Sequence, residues 1–256
     1  MTSEVNKQRT GADGTVGLLV IDRPKRRNAL TREVCEEMTA AVEELASSGC
    51  RVLVIAGEGG HFCSGADLDT VRDPAFRPAL FALLDALWSV PLPVIAAVDG
   101  YALGAGTQLA VASDLRVADA SARFGIPAAR LGLAVDHWTM ERAALLAGHG
   151  PARSMLLGDE QLDGETAVRL GLASRLGTRA DAIAWAVHLA TLAPLTLAAH
   201  KVALNRLERL GPGPLEAAEH PDPIVRDADR RAWGSHDLSE GLAAFAAKRT
   251  PTFEGR

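Results

Sequence analysis

Three apolar runs, "TVGLLVIDRP", "RVLVIAGEG" and "PVIAAVDG", constrain the fold most. Each stops at proline or glycine, and each leads on to a segment with helical spacing. A short run rich in Val, Ile and Leu and bounded by turn residues predicts a buried strand. After the first comes "TREVCEEMTAAVEELAS", where Val34, Met38, Ala41, Val42 and Leu45 recur on one helical face. Thr31 is the N-cap candidate of that helix, and Glu33 puts a negative charge in its first turn. The second run leads through the loop "GGHFCSGADL" to "FRPALFALLDALWSV", an apolar helix stopped by Pro91 and Pro93. The third opens "PVIAAVDGYALGAGTQLAVASDLRVADASARFGIP", which reads as strand, glycine loop, helix, strand and turn. Strands alternating with helices predict an α/β core.

From Pro151 onward helical patterns dominate, in "PARSMLLGDE", "DGETAVRLGL", "RADAIAWAVHLATLAP", "LTLAAHKVALNRLERL" and "DLSEGLAAFAAKR". The stretch "GPGPLEAAEHPDPIV" predicts a loop near a boundary between that core and a helical tail. We divide the chain into an α/β core over 1–195 and a C-terminal helical region over 196–256.

Composition narrows the function classes. A formal net charge of -5, from 27 basic and 32 acidic residues, gives no basic surplus of the kind that draws a chain to nucleic acid. No apolar run reaches the roughly 20 residues of a membrane span, and the polar start "MTSEVNKQRTGADG" lacks a signal-peptide core. Cys35, Cys50 and Cys63 are an odd set without C-x-x-C spacing, which predicts reduced thiols and a cytoplasmic protein. No cluster has metal-ligand spacing, so neither a metal nor a separate cofactor is expected.

Two loops carry the candidate chemistry. In "FCSGADL" a glycine among small residues lets the backbone approach a ligand closely. In "YALGAGTQL" a glycine turn runs into a helix N-terminus, where unpaired N–H groups and the positive dipole end favour an anion. One N–H from each loop would make an oxyanion hole. Neither loop has a phosphate-binding G-x-x-x-x-G-K-[ST] or a dinucleotide G-x-G-x-x-G pattern.

"RPKRRNAL", "FCSGADL", "PVIAAVDGYALGAG", "SDLRVADASARFGIP" and "AAKRTPTF" occur in this order, and with their spacing the chain resembles the enoyl-CoA hydratase/isomerase (crotonase) family almost end to end. The resemblance implies an α/β fold of repeated ββα turns with a C-terminal helical trimerisation region. It also implies a homotrimer, or a hexamer built from two trimers, and an acyl-CoA or enoyl-CoA thioester as ligand, coenzyme A entering only as part of that ligand. Carried over, the oxyanion-hole donors are the backbone N–H groups of Ala66 and Ala105. Lys25, Arg27, Ala29, Ser64, Asp67 and Leu68 fall where the family contacts the CoA adenine and pantetheine. Lys248 falls where a neighbouring subunit reaches the CoA phosphate. Lys and Arg suit phosphates, although the same residues read without the family match as solvated surface charge.

The departures from the family pattern bear on activity. The resemblance places two water-activating glutamates at the positions of Gln108 and Ala128. A glutamine amide cannot serve as general acid or base, and alanine offers no group at all. Such groups are worth about 10²–10⁴ in rate, so hydration is expected to be lost. Asp136 has two readings that do not exclude each other. It is a favoured residue to cap the helix beginning at His137, and in crotonase relatives that isomerise or dehalogenate a catalytic aspartate occupies a matching place, as a lone base or nucleophile. His61 and His137 read as supporting or surface residues, and Trp88, Trp138, Trp185 and Trp233 as packing residues. "LAVDHW", "GHGPARSMLL" and "LASRLGTRADAIAWAVHLATLAPL" also resemble a mycobacterial subgroup that lacks the glutamates and binds long-chain acyl-CoA in fatty-acid or mycolic-acid metabolism. The expected function is therefore binding of acyl-CoA or enoyl-CoA thioesters. The rival is an active isomerase or thioester hydrolase that uses Asp136.

Overall fold

The computed structural model describes residues 3–206 and 223–256. The chain runs β1 (Val5–Thr10), β2 (Val16–Ile21), α1 (Arg32–Ser47), β3 (Val52–Gly57), α2 (Phe76–Ser89) and β4 (Val94–Val98). It continues through β5 (Tyr101–Leu103), α3 (Ala105–Ala112), β6 (Leu115–Ala118), β7 (Arg123–Gly125), α4 (His137–Ala147) and α5 (His149–Leu157). Then follow β8 (Leu162–Asp163), α6 (Gly164–Leu170), β9 (Arg175–Leu176), α7 (Arg179–Leu189), α8 (Pro194–Leu204), α9 (Pro223–Trp233) and α10 (His236–Ala246). Most of the proposed "GPGPLEAAEHPDPIV" loop lies outside the described residues.

The main sheet has the order β1-β2-β3-β4-β6-β9, parallel throughout except for the antiparallel β1–β2 edge pair. All residues of β2, β3 and β4 are buried, as expected of parallel strands covered on both faces. Their alternation divides the core in two. Leu19, Ile21, Leu53, Ile55, Val94 and Ala96 face α1 and α2, while Val16, Leu18, Val20, Val52, Val54 and Ile95 face Ala182, Ala186 and Ala190 of the α7 segment. The small side chains of that alanine stripe leave α7 room to lie close on the sheet.

Local signals place the helices that matter for the site. Thr31 caps α1 by accepting from the Val34 N–H at 3.3 Å, and all five residues of the proposed apolar face are buried. The α2 C-terminus is held from α8. The buried Lys201 ammonium donates to Leu87 O (2.9 Å) and Leu92 O (3.1 Å) and pairs with Asp114 at 2.8 Å, while Asn205 Nδ2 donates to Trp88 O at 2.9 Å. The bonds to Leu87 O and Trp88 O satisfy carbonyls that a helix end leaves unpaired. Burial pulls the Lys201 pKa down, against the raising effect of Asp114.

The pattern of apolar runs does not reveal β1, whose only buried residue is Val5. Nor does it reveal the small second sheet of order β5-β7-β8. That sheet nevertheless sets the site, because β5 delivers the chain directly into α3.

Candidate functional site

The segment from Phe62 to Asp67 is stitched on both sides. Cys63 N–H donates to Tyr101 O (2.8 Å) and Leu103 N–H donates to Cys63 O (3.0 Å), joining it to β5. On the other side Leu30 N–H donates to Gly65 O and Asp67 N–H to Leu30 O, both at 2.8 Å. Leu30 thus bonds to the two neighbours of Ala66, in a parallel bridge. In such a bridge the N–H of the intervening residue points away from the partner strand. The Ala66 N–H is therefore aimed away from Leu30.

Gly65 and Gly106 make this approach possible. Gly65 has φ 107, and a Cβ added there would stand 2.8 Å from Leu103 O and 3.6 Å from Ala105 N. A Cβ on Gly106 would lie 2.1 Å from Cys63 O, inside any allowed contact. The first turn of α3 is packed directly against the Cys63 segment, which only glycine permits. Thr107 secures the same junction, its Oγ1 standing 2.6 Å from Ala102 O and 2.8 Å from Gly125 O. Neither the Ala66 nor the Ala105 N–H has an acceptor among the described residues.

Both alanines open on a cavity of about 660 Å³. Of the residues singled out from the sequence, Ala29, Ser64, Ala66, Asp67, Leu68, Ala105, Gln108, Ala128 and Asp136 line it together. Lys25, Arg27 and Lys248 stand outside this lining and are exposed. Arg27 instead lies over the Tyr101 ring, at 5.7 Å. The Asp67 carboxylate is engaged by the Arg23 guanidinium, both Nη atoms lying 3.2 Å from Oδ2.

The polar corner of the cavity is a closed triangle. Gln108 Nε2 donates to Asp136 Oδ2 and to Thr139 Oγ1, each at 2.9 Å. Thr139 Oγ1 donates to Asp136 Oδ2 at 2.7 Å, and the Thr139 N–H donates to Asp136 Oδ1 at 2.9 Å. Asp136 is thus the N-cap of α4, and its carboxylate also holds the Gln108 amide. His61 stacks on Tyr101 (centroids 4.7 Å apart) and accepts from the Tyr101 N–H at 3.3 Å, whereas His137 is exposed. Cys63 lies behind the loop with its thiol pushed up to about 12 by burial, an inert group at neutral pH.

The enoyl-CoA hydratase/isomerase family model matches residues 11–256. The chain belongs to that family. A Mycobacterium tuberculosis protein named "Probable enoyl-CoA hydratase echA6" is 42% identical over 236 residues, covering 92% of this chain and 94% of that protein. Its namesake from Mycobacterium leprae is 40% identical over 251 residues, covering 96% and 98%. The crystal structure of an enoyl-CoA hydratase/carnithine racemase from Magnetospirillum magneticum superposes with a TM-score of 0.87 at 28% identity, over 100% of this chain and 97% of that one. The crotonase-like fold expected from the resemblance is the fold found.

Within this enoyl-CoA hydratase/isomerase frame the structure adds lining residues that motif reading did not single out. Phe76, Arg77, Leu80 and Phe81 form a wall from the first turns of α2, and Arg26 stands at the rim, paired with Asp69 at 3.1 Å. The i, i+4 pairs Phe76–Leu80 and Arg77–Phe81 were the available signal, and Arg77 does lie over the Phe81 ring. A second cavity of about 430 Å³, between Trp88 and Trp138, shares Phe81 and Asp136 with the first. Those two tryptophans pack edge to face at 5.4 Å, while Trp233 is 70% exposed rather than packed. Asn28 was also missed. Fully buried, it donates from Nδ2 to Glu58 O (2.8 Å) and His61 O (2.5 Å), locking the "RRNAL" turn beside the loop.

Proposed function

We propose that this chain binds an acyl-CoA or enoyl-CoA thioester and does not hydrate it. The thioester oxygen is accepted by the Ala66 and Ala105 N–H groups. The observation that carries this reading is their pairing on one cavity: two N–H groups without acceptors among the described residues, from two loops held together by Gly65 and Gly106. Fixed donors of this kind suit an oxygen that carries negative charge. Beside them the cavity offers the Gln108 amide and the Ala128 methyl where hydration would call for carboxylates, and the Asp136 carboxylate is already engaged by three donor contacts.

The acyl chain lies along the Phe76–Phe81 face of α2, whose apolar side chains line the cavity, and the neighbouring space between Trp88 and Trp138 accommodates a long chain. Lys25 and Arg27 meet the adenine and pantetheine portions of CoA, and Lys248, supplied by a neighbouring subunit, meets the CoA phosphate. Exposed Leu204, Ile224, Trp233 and Leu242 on the C-terminal helices support assembly into a trimer or a hexamer. Three free buried cysteines accord with a reducing cytoplasm, and the setting is fatty-acid metabolism, mycolic-acid metabolism included. The reading is tested by a co-crystal with a long acyl-CoA. The expected result is a thioester oxygen within hydrogen-bond distance of both alanine N–H groups, and an oxygen placed away from both overturns the assignment.

A further inference from the structure

The Gln108 amide is buried and tied at one end. It is 5% exposed, and its Nε2 faces Asp136 Oδ2 and Thr139 Oγ1. A flip of the amide would turn Oε1 onto a carboxylate oxygen, which can only accept, and would set oxygen against oxygen. Turning the Thr139 hydroxyl onto Oε1 would leave that oxygen–oxygen contact in place and would cost Asp136 its bond from Thr139. The amide orientation is therefore fixed by Asp136. Among the described residues Oε1 has no donor, yet it is not a sealed orphan. It is the free hydrogen-bonding atom that Gln108 contributes to the cavity wall.

Its place on α3 says what it meets. Gln108 follows Ala105 by three residues on α3, and its side chain leans back along the helix toward the turn that presents the Ala105 N–H. With a thioester oxygen at the Ala105 N–H, Oε1 comes within reach of a substituent on the acyl carbon two bonds beyond the carbonyl. An immobile carbonyl oxygen there welcomes a hydrogen-bond donor and disfavours an acceptor. We propose that Gln108 is a specificity determinant, locked by Asp136, that selects acyl thioesters bearing a hydroxyl at that carbon over those bearing a keto oxygen. Asp136 is then a positioning residue, acting through Gln108 rather than on the ligand.

This inference rests on the proposed thioester binding, and the test separates the two. Three CoA thioesters of equal chain length are titrated by calorimetry: saturated, 3-hydroxy and 3-oxo. The native protein is expected to bind the 3-hydroxy ligand about tenfold more tightly than the 3-oxo ligand, the scale of one hydrogen bond gained against one acceptor clash. Asp136→Asn keeps an N-cap residue on α4 but offers an N–H toward Gln108, releasing the amide to turn. In this variant the hydroxy/oxo preference is expected to vanish or reverse. Gln108→Leu is expected to bind all three alike. Equal binding of all three ligands to the native protein, or an unchanged preference in Asp136→Asn, overturns the inference and leaves thioester binding standing. No binding of any of the three overturns both.

Discussion

One part of the cavity wall is made of backbone and another of side chains, and the two carry their information differently. On the first, Ala66 and Ala105 contribute N–H groups whose directions are set by the bridge to Leu30, the bonds to β5 and the glycine contacts beneath. Almost any residue at those two positions keeps the donor. On the second, Gln108, Ala128 and Asp136 contribute only what their side chains hold, so one substitution changes the chemistry without moving the scaffold. A fold can thus keep a fixed pair of N–H donors while the side chains beside them change.

The comparison breaks most sharply at Gly106. A methyl group there would have to displace the Cys63 carbonyl, a backbone atom that cannot swing aside. Gly106→Ala is expected to cost about 3 kcal/mol in denaturant unfolding and to abolish ligand binding. A loss below about 0.5 kcal/mol would mean that the two loops are not braced against each other.

The side-chain wall responds to charge instead. Gln108→Glu would set a second carboxylate about 2.9 Å from Asp136. Two carboxylates that close cannot both ionise cheaply, so the pair's upper pKa rises above the unfolded value of about 4. The folded state then binds more protons than the unfolded state above that pH, and stability falls as pH rises. Relative to the native protein the variant is expected to lose about 2 kcal/mol between about pH 4 and pH 7. A pH-independent difference would show that Gln108 and Asp136 are not in contact.

The smallest expected effect lies beneath the backbone wall. Burial pushes both the Cys35 and the Cys63 thiols up to about 12. Neither is expected to react with an alkylating reagent at neutral pH until the protein is unfolded, as mass spectrometry would show. Rapid labelling of Cys63 in the native protein would mean that the loop opens.

The sequence showed the backbone wall better than the side-chain wall. Apolar runs punctuated by glycine and proline give β2, β3 and β4, and small residues around Gly65 and Gly104 mark the two loops, because each obeys a local steric rule. The strands β5, β7 and β8 are only two or three residues long, too short for any period to show. Edge strand β1 buries Val5 alone and has no apolar face to read. The Gln108–Asp136–Thr139 triangle joins residues 28 and 31 positions apart, and nothing local to either segment announces it. Asp136 could be read as a cap, since capping reaches only three residues ahead. That the same carboxylate holds an amide on another helix is tertiary information.

The central claim is that this site grips a thioester without adding water. It is tested most directly by titrating crotonyl-CoA and a long-chain 2-enoyl-CoA and following their hydration in the same samples. The account predicts saturable binding with no hydration above the uncatalysed rate. Hydration that turns over, and that is lost in Asp136→Asn while binding persists, would contradict it.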